Sequence, residues 1–95
     1  METEEQPAIS FAGFIISLAT TAAVHFGDLA DPNTGEREQP NLAAAHQMID
    51  LIAMLQDRTK GNLSPEEAKL VEDLLYELRM RFVQAQQGER RIVEP

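Results

Sequence analysis

The chain has no cysteine and no tryptophan, and its aromatics are one tyrosine and four phenylalanines. Without cysteine there is no disulfide framework, no thiolate metal site and no Cys nucleophile. That composition fits a reducing compartment. With so few aromatic rings, stacking platforms for single-stranded nucleic acid are largely missing. Positive charge is also scarce. Eight Lys and Arg stand against 16 Asp and Glu, for a net charge of −8. Broad binding to phosphate backbones needs a basic face, so the charge argues against nucleic acid as a partner. A surface rich in anionic lipid is disfavoured for the same reason.

The deepest local absence is charge itself. Ala8 to Gly27 contains no Asp, Glu, Lys or Arg, and its only polar side chains are Ser10, Ser17, Thr20, Thr21 and His25. At 100° per residue, Phe11, Phe14, Ile15, Leu18, Ala22, His25 and Phe26 share one face. Ile9, Ala12, Ile16, Ala19 and Ala23 share the opposite one. A helix that is apolar nearly all round is buried nearly all round. Two further helices can cover one face, so the second face calls for lipid, a ligand or another copy. Gly13, Ser17 and Thr21, four residues apart, allow close backbone approach. The stretch would reach about 30 Å as a helix, enough for a bilayer. Acidic residues flank it on both sides, the first basic residue is Arg37, and the later helices need an apolar partner. A membrane is therefore the disfavoured reading. The acidic lead before it lacks the basic start of a secretory signal, which makes the cytoplasm the expected compartment.

A chain of 95 residues allows one domain, with a core that is marginal unless helped. Residues 1–7 read as a disordered acidic lead, 8–87 as one helical domain and 88–95 as a flexible tail. Three helices are expected, over about 8–27, 42–60 and 65–86. Gly27 serves as a stop, and Asp31-Pro32-Asn33-Thr34-Gly35 is turn chemistry within a loop over 28–40. Asn41 is a good N-cap for the second helix. Its apolar side is Leu42, Ala45, Met48, Ile49, Leu51, Ile52 and Leu55, and Gly61 ends it. Ser64-Pro65-Glu66-Glu67 is a capping box with Pro at N1. Leu70, Val71, Leu74, Leu75, Leu78 and Phe82 then make a core stripe, with Tyr76, Met80 and Val83 on another side. The short Gly61–Leu63 link predicts an antiparallel hairpin of helices two and three.

These residues carry a resemblance. Phe14–Gly27 (FIISLATTAAVHFG), Asp31–Glu36 (DPNTGE), Ile49–Glu67 (IDLIAMLQDRTKGNLSPEE) and Leu74–Phe82 (LLYELRMRF) occur in this order and spacing. Over roughly residues 11 to 83 the chain resembles the bacterial family labelled "domain of unknown function 1844". The resemblance implies a small helical protein. It implies no activity, cofactor or catalytic residue.

The candidate chemistry is thin. His25, near the end of the first helix, is the one weak ligand candidate. Metal-binding histidines usually come with further ligands at helical spacing, and none lies within that helix. A histidine favoured by the helix dipole and hydrogen-bonded to a neighbour is the plainer reading. His46 and Asp50, at i and i+4, suit a base and its orienting carboxylate, yet no nucleophile accompanies them. A surface pair explains them. In the loop, Gly35 falls where a calcium motif needs its third ligand. Arg79, Arg81, Arg90 and Arg91 are half of the basic residues, and read as dipole complements and a solvated tail.

The sequence thus predicts an all-α, non-enzymatic chain with no cofactor, in which a hairpin of helices two and three packs on a very apolar first helix and dimerisation completes the fold. The expected interface is Ile9, Ala12, Ile16, Ala19 and Ala23, joined by Tyr76 and Met80. An interaction or assembly module is the leading function. The alternatives are a small-molecule binder with a pocket among Phe11, Phe14, His25 and Phe26, and a membrane-associated protein.

Overall fold

A computed structural model describes residues 9–93, with side chains described through Gly88. Three helices pack on one another: α1 (Phe11–Phe26), α2 (Leu42–Arg58) and α3 (Pro65–Val93). Each boundary has a local cause. Ser10 caps α1, its hydroxyl accepting from the Gly13 amide at 3.0 Å. The expected start at residue 8 therefore moves to Phe11, and Ile9 lies ahead of the cap. Gly27 ends the helix at φ +85°, with the Gly27 and Asp28 amides donating to the Val24 and Ala23 carbonyls. Asn41 caps α2 through the Ala44 amide at 3.1 Å. Beyond α2, Gly61 adopts φ +85°. The capping box of α3 is reciprocal: the Ser64 amide donates to Glu67 Oε1 at 2.9 Å and the Glu67 amide donates to Ser64 Oγ at 3.1 Å.

The far end of α3 differs from expectation. Its backbone stays helical to Val93 rather than ending at 86, so the expected tail from residue 88 begins inside the helix. Gly88 lowers helix propensity by about 1 kcal/mol relative to Ala. A single such residue among Gln, Glu and Arg, with no proline until position 95, does not stop a helix already under way. The acidic lead over 1–7 lies outside the described residues.

The core draws three buried residues from each helix: Ile15, Ala22 and Phe26; Ala45, Ile49 and Ile52; Val71, Leu75 and Leu78. Complete burial of one such large side chain contributes about 1.5–3 kcal/mol. Leu42, Met48, Leu55, Leu63, Leu74 and Phe82 pack around them. The α2 and α3 stripes match the sequence reading at these positions. On α1 three residues depart from it: Ala19, expected on the outer face, packs against the core. Phe14, expected in the core, is exposed, whereas Val24 is buried. Val24 lies where the return loop folds back, beside Asp31, Pro32 and Asn33.

That loop is tied at both ends. Asp31 makes an Asx turn, its Oδ1 accepting from the Asn33 amide at 2.8 Å while its carbonyl accepts from Gly35 at 2.7 Å. An isolated antiparallel bridge joins Ala30 and Arg37. The Asn41 amide then donates to the His25 carbonyl at 2.7 Å, fastening the start of α2 to the end of α1.

Candidate interaction surface

The outward side of α1 is built from uncharged residues. Ile16 is 48% exposed and Ile9, before the cap, is 99% exposed, while Ile15 between them on the chain is 0% exposed. The hydroxyls beside Ile16 are satisfied by their own helix. Ser17 Oγ donates to the Phe14 carbonyl at 2.8 Å, Thr20 Oγ1 to Ile16 at 2.9 Å and Thr21 Oγ1 to Ser17 at 3.0 Å. None of the three needs water or a partner for its proton. The face can be dried without leaving a donor orphaned, which is the usual penalty for covering polar groups. Of the expected interface alanines, Ala12 and Ala23 are half-buried. Ala19 is half-buried too, and packs against the core.

On α3, Tyr76, Met80 and Val83 are exposed. They lie away from the buried stripe, as their spacing predicts.

His25 is half-buried, with Nδ1 3.4 Å from Glu38 Oε1. The partner comes from the return loop, out of reach of any argument from helical spacing. Together with Thr21, Val24 and the Asx turn they line a depression of about 200 Å³. Phe26 lines a different one, of about 240 Å³, with Pro40, Leu42 and Arg81. The expected pocket of Phe11, Phe14, His25 and Phe26 is thus not assembled: Phe11 packs on the core, Phe14 faces solvent, and the other two open on separate depressions.

His46 Nδ1 lies 3.2 Å from Asp50 Oδ2, both half or more exposed. The His46 ring also lies 5.1 Å from Phe82, at 54°. Among the described residues no three His, Asp or Glu side chains are grouped to hold a metal ion.

Sequence reasoning missed the strongest polar contact. Arg81 Nε and Nη2 donate to the two oxygens of Asp28 at 2.7 and 2.8 Å, and its guanidinium lies 5.2 Å over the Phe26 ring. The paired guanidinium draws the Asp28 carboxyl below its ordinary range, against a smaller opposing effect of burial, and Asp28 in turn raises Arg81. Arg81 is therefore a clasp between α3 and the end of α1, not a complement to the helix dipole. An acid directly after a helix-stopping glycine was the one sequence hint. Arg90 and Arg91 lie beyond the described side chains.

Among the described residues no helix is long and apolar enough to cross a membrane; α1 spans 16 residues. Against known proteins, the model of one family, described as "Domain of unknown function (DUF1844)", matches residues 8–84. No curated protein and no solved structure matches.

Proposed function

The chain belongs to the DUF1844 family, whose description gives no activity, and we propose that the protein is a non-enzymatic interaction module that self-associates through the outer face of α1. One observation carries the reading. Ile16 stands half-exposed on a helix without a single charge, among hydroxyls already bonded to their own backbone. Isologous pairing about a two-fold axis buries this face twice with one patch. Gly13, Ser17 and Thr20 beside Ile16 let a second helix come close.

The antiparallel α2–α3 hairpin belongs to the same reading. It is supported by His46, early in α2, meeting Phe82, late in α3, and by Gln56 and Ala68 lining one depression at the other end. This direction leaves α1 across the hairpin with its far side outward.

Native mass spectrometry of detergent-free protein tests the proposal. Ile16→Asp is the variant of choice, because Ala19 touches the core and its replacement would confuse interface with stability. Wild type should be an even oligomer of no added mass, and Ile16→Asp should be smaller with unchanged helical circular dichroism. A wild-type monomer, or a variant of unchanged mass, would reject the α1 interface. Added mass on the wild type would favour a bound ligand in its place.

A further inference from the structure

Val24 is only 5% exposed although it lies on the side of α1 away from the core. It follows the fully buried Ile15 by nine residues, and nine steps of about 100° leave the two half a turn apart. Val24 thus continues the outer line of Gly13, Ser17 and Thr20, all of them exposed. What stands over it is the chain's own return loop. Asp31, Pro32 and Asn33 line a depression of about 200 Å³ together with Val24, Thr21 and His25.

The tip of that loop is bonded to itself. The Asp31 amide donates to the Glu36 carbonyl at 2.9 Å, the Gly35 amide to the Asp31 carbonyl at 2.7 Å and the Glu36 amide to Thr34 Oγ1 at 3.2 Å. The Ala30–Arg37 bridge closes its base. The two stems are fixed elsewhere: Asp28 is held by Arg81, and the Asn41 amide donates to the His25 carbonyl. Among the described residues no hydrogen bond joins residues 30–37 to α1, and just past the bridge Glu38 reaches His25 at 3.4 Å. The tip can leave Val24 with its own hydrogen bonds intact, giving up one apolar contact and one long polar one.

We propose that this tip is an autoinhibitory strap. It occupies the far end of the face that α1 offers a second copy, and it swings aside when two α1 helices pair along the whole line. The inference rests on the α1 self-association reading and adds its regulation. With the strap shut, the free line from Gly13 to Thr20 measures about 10 Å; with the strap aside it reaches Val24, at about 16 Å. One valine newly buried between copies corresponds to about tenfold or more in affinity.

Removing the tip tests the strap. The bridge sets Ala30 and Arg37 opposite one another, so Asn-Gly in place of residues 31–36 closes the same base with a two-residue turn. In sedimentation equilibrium the shortened chain should associate about tenfold or more tightly than wild type, with unchanged helical circular dichroism. Val24→Ser in the shortened chain should cancel the gain. Glu38→Ala keeps the loop entire and cuts its contact with His25, and should tighten association by a smaller factor. Glu36→Ala makes the same change of charge with that contact kept, and should not. A shortened chain and a Glu38→Ala variant that associate no more tightly than wild type would overturn the strap. So would a gain that survives Val24→Ser, or equal effects of Glu38→Ala and Glu36→Ala.

These outcomes are distinct from failure of the α1 interface. If wild type pairs, loses pairing with Ile16→Asp and ignores the strap variants, the interface stands and the strap falls. If wild type is monomeric and the shortened chain pairs through Ile16, self-association of the intact chain is rejected and the strap is supported. If neither pairs, or the tightened pairing ignores Ile16→Asp, both fall.

Discussion

α1 carries no charged residue, whereas α3 places Glu66, Lys69, Glu72, Asp73, Glu77 and Arg79 outside its buried stripe. The two helices both bury apolar side chains, yet they constrain their own orientation very differently. On α3 every rotation away from the observed one would push a charge toward the core, at several kcal/mol for an unpaired ion. On α1 a rotation exchanges Ile for Ile or Ala for Ala. Its facing is fixed by its partners and by the loop that returns over Val24, not by its own pattern. A uniformly apolar helix is thus strongly driven to be buried and weakly told which way to turn.

The sharpest way to break this comparison is the neighbouring pair on α1. Ile15→Ala removes a fully buried side chain and should cost about 2–5 kcal/mol. Ile16→Ala removes a half-exposed one and should cost well under half as much to the fold of the isolated chain. At about 4–8 °C per kcal/mol for a domain of this size, thermal melts at low micromolar concentration separate the two by at least about 4 °C. Equal melts would mean that α1 does not hold the facing described, or that a second copy covers Ile16 as fully as the core covers Ile15. Repeating the pair across a hundredfold dilution tells these apart, because only an intermolecular contact depends on concentration.

Legibility in the sequence follows the same contrast. The core positions of α3, among them Val71, Leu75 and Leu78, could be read from spacing alone, because charge marked the rest of the helix. Those of α2 were legible for the same reason, and the caps at Asn41, Ser64 and Gly27 were local chemistry, whereas the Ser10 cap of α1 and the Thr59 cap of α2 went unread. On α1 the hydropathy is nearly flat. Phe14 was placed inward and Val24 was not, and the structure reverses both. The contacts of His25 with Glu38 and of Arg81 with Asp28 span 13 and 53 residues. No periodicity within one helix can encode a partner on another element, so this part of the candidate surface was illegible until the helices were assembled.

The helix ends sharpen the comparison at a smaller scale. Gly27 terminates α1 at φ +85°, and a Cβ there would sit 3.4 Å from the Glu38 carbonyl and from the Pro40 ring. Gly27→Ala should therefore destabilise by about 1 kcal/mol, the cost of a left-handed backbone for a residue with a side chain. Gly88 lies within α3, and a Cβ there meets nothing within 4 Å. Gly88→Ala should stabilise by about 0.5–1 kcal/mol through helix propensity and a less flexible unfolded chain. Urea titrations with unchanged slope would record shifts of opposite sign. A stabilised Gly27→Ala would refute the stop at the end of α1.

The smallest effect concerns the one ionic tie, among the described residues, between α3 and the end of α1. Both side chains of the Asp28–Arg81 pair are a third or more exposed, at 41% and 35%, so solvent screens it and about 0.5–1 kcal/mol is the expected contribution despite its bidentate geometry. Its pH dependence has a definite sign. The guanidinium draws the folded-state carboxyl of Asp28 below its ordinary value of 3.8. Above that value the carboxylate is ionised in both states, and the pair contributes in full. As pH falls from about 4 through the lowered folded value, the folded state takes up its proton and the contribution is lost. Asp28→Asn should thus melt a few degrees below wild type at pH 7, and the gap should close below pH 4. Other carboxylates titrate in the same window, so only the difference between the two proteins carries the result. A gap constant down to pH 2 would assign the cost of Asp28→Asn to the Phe26 stack or the α1 terminus, and α1 and α3 would then be joined by packing alone.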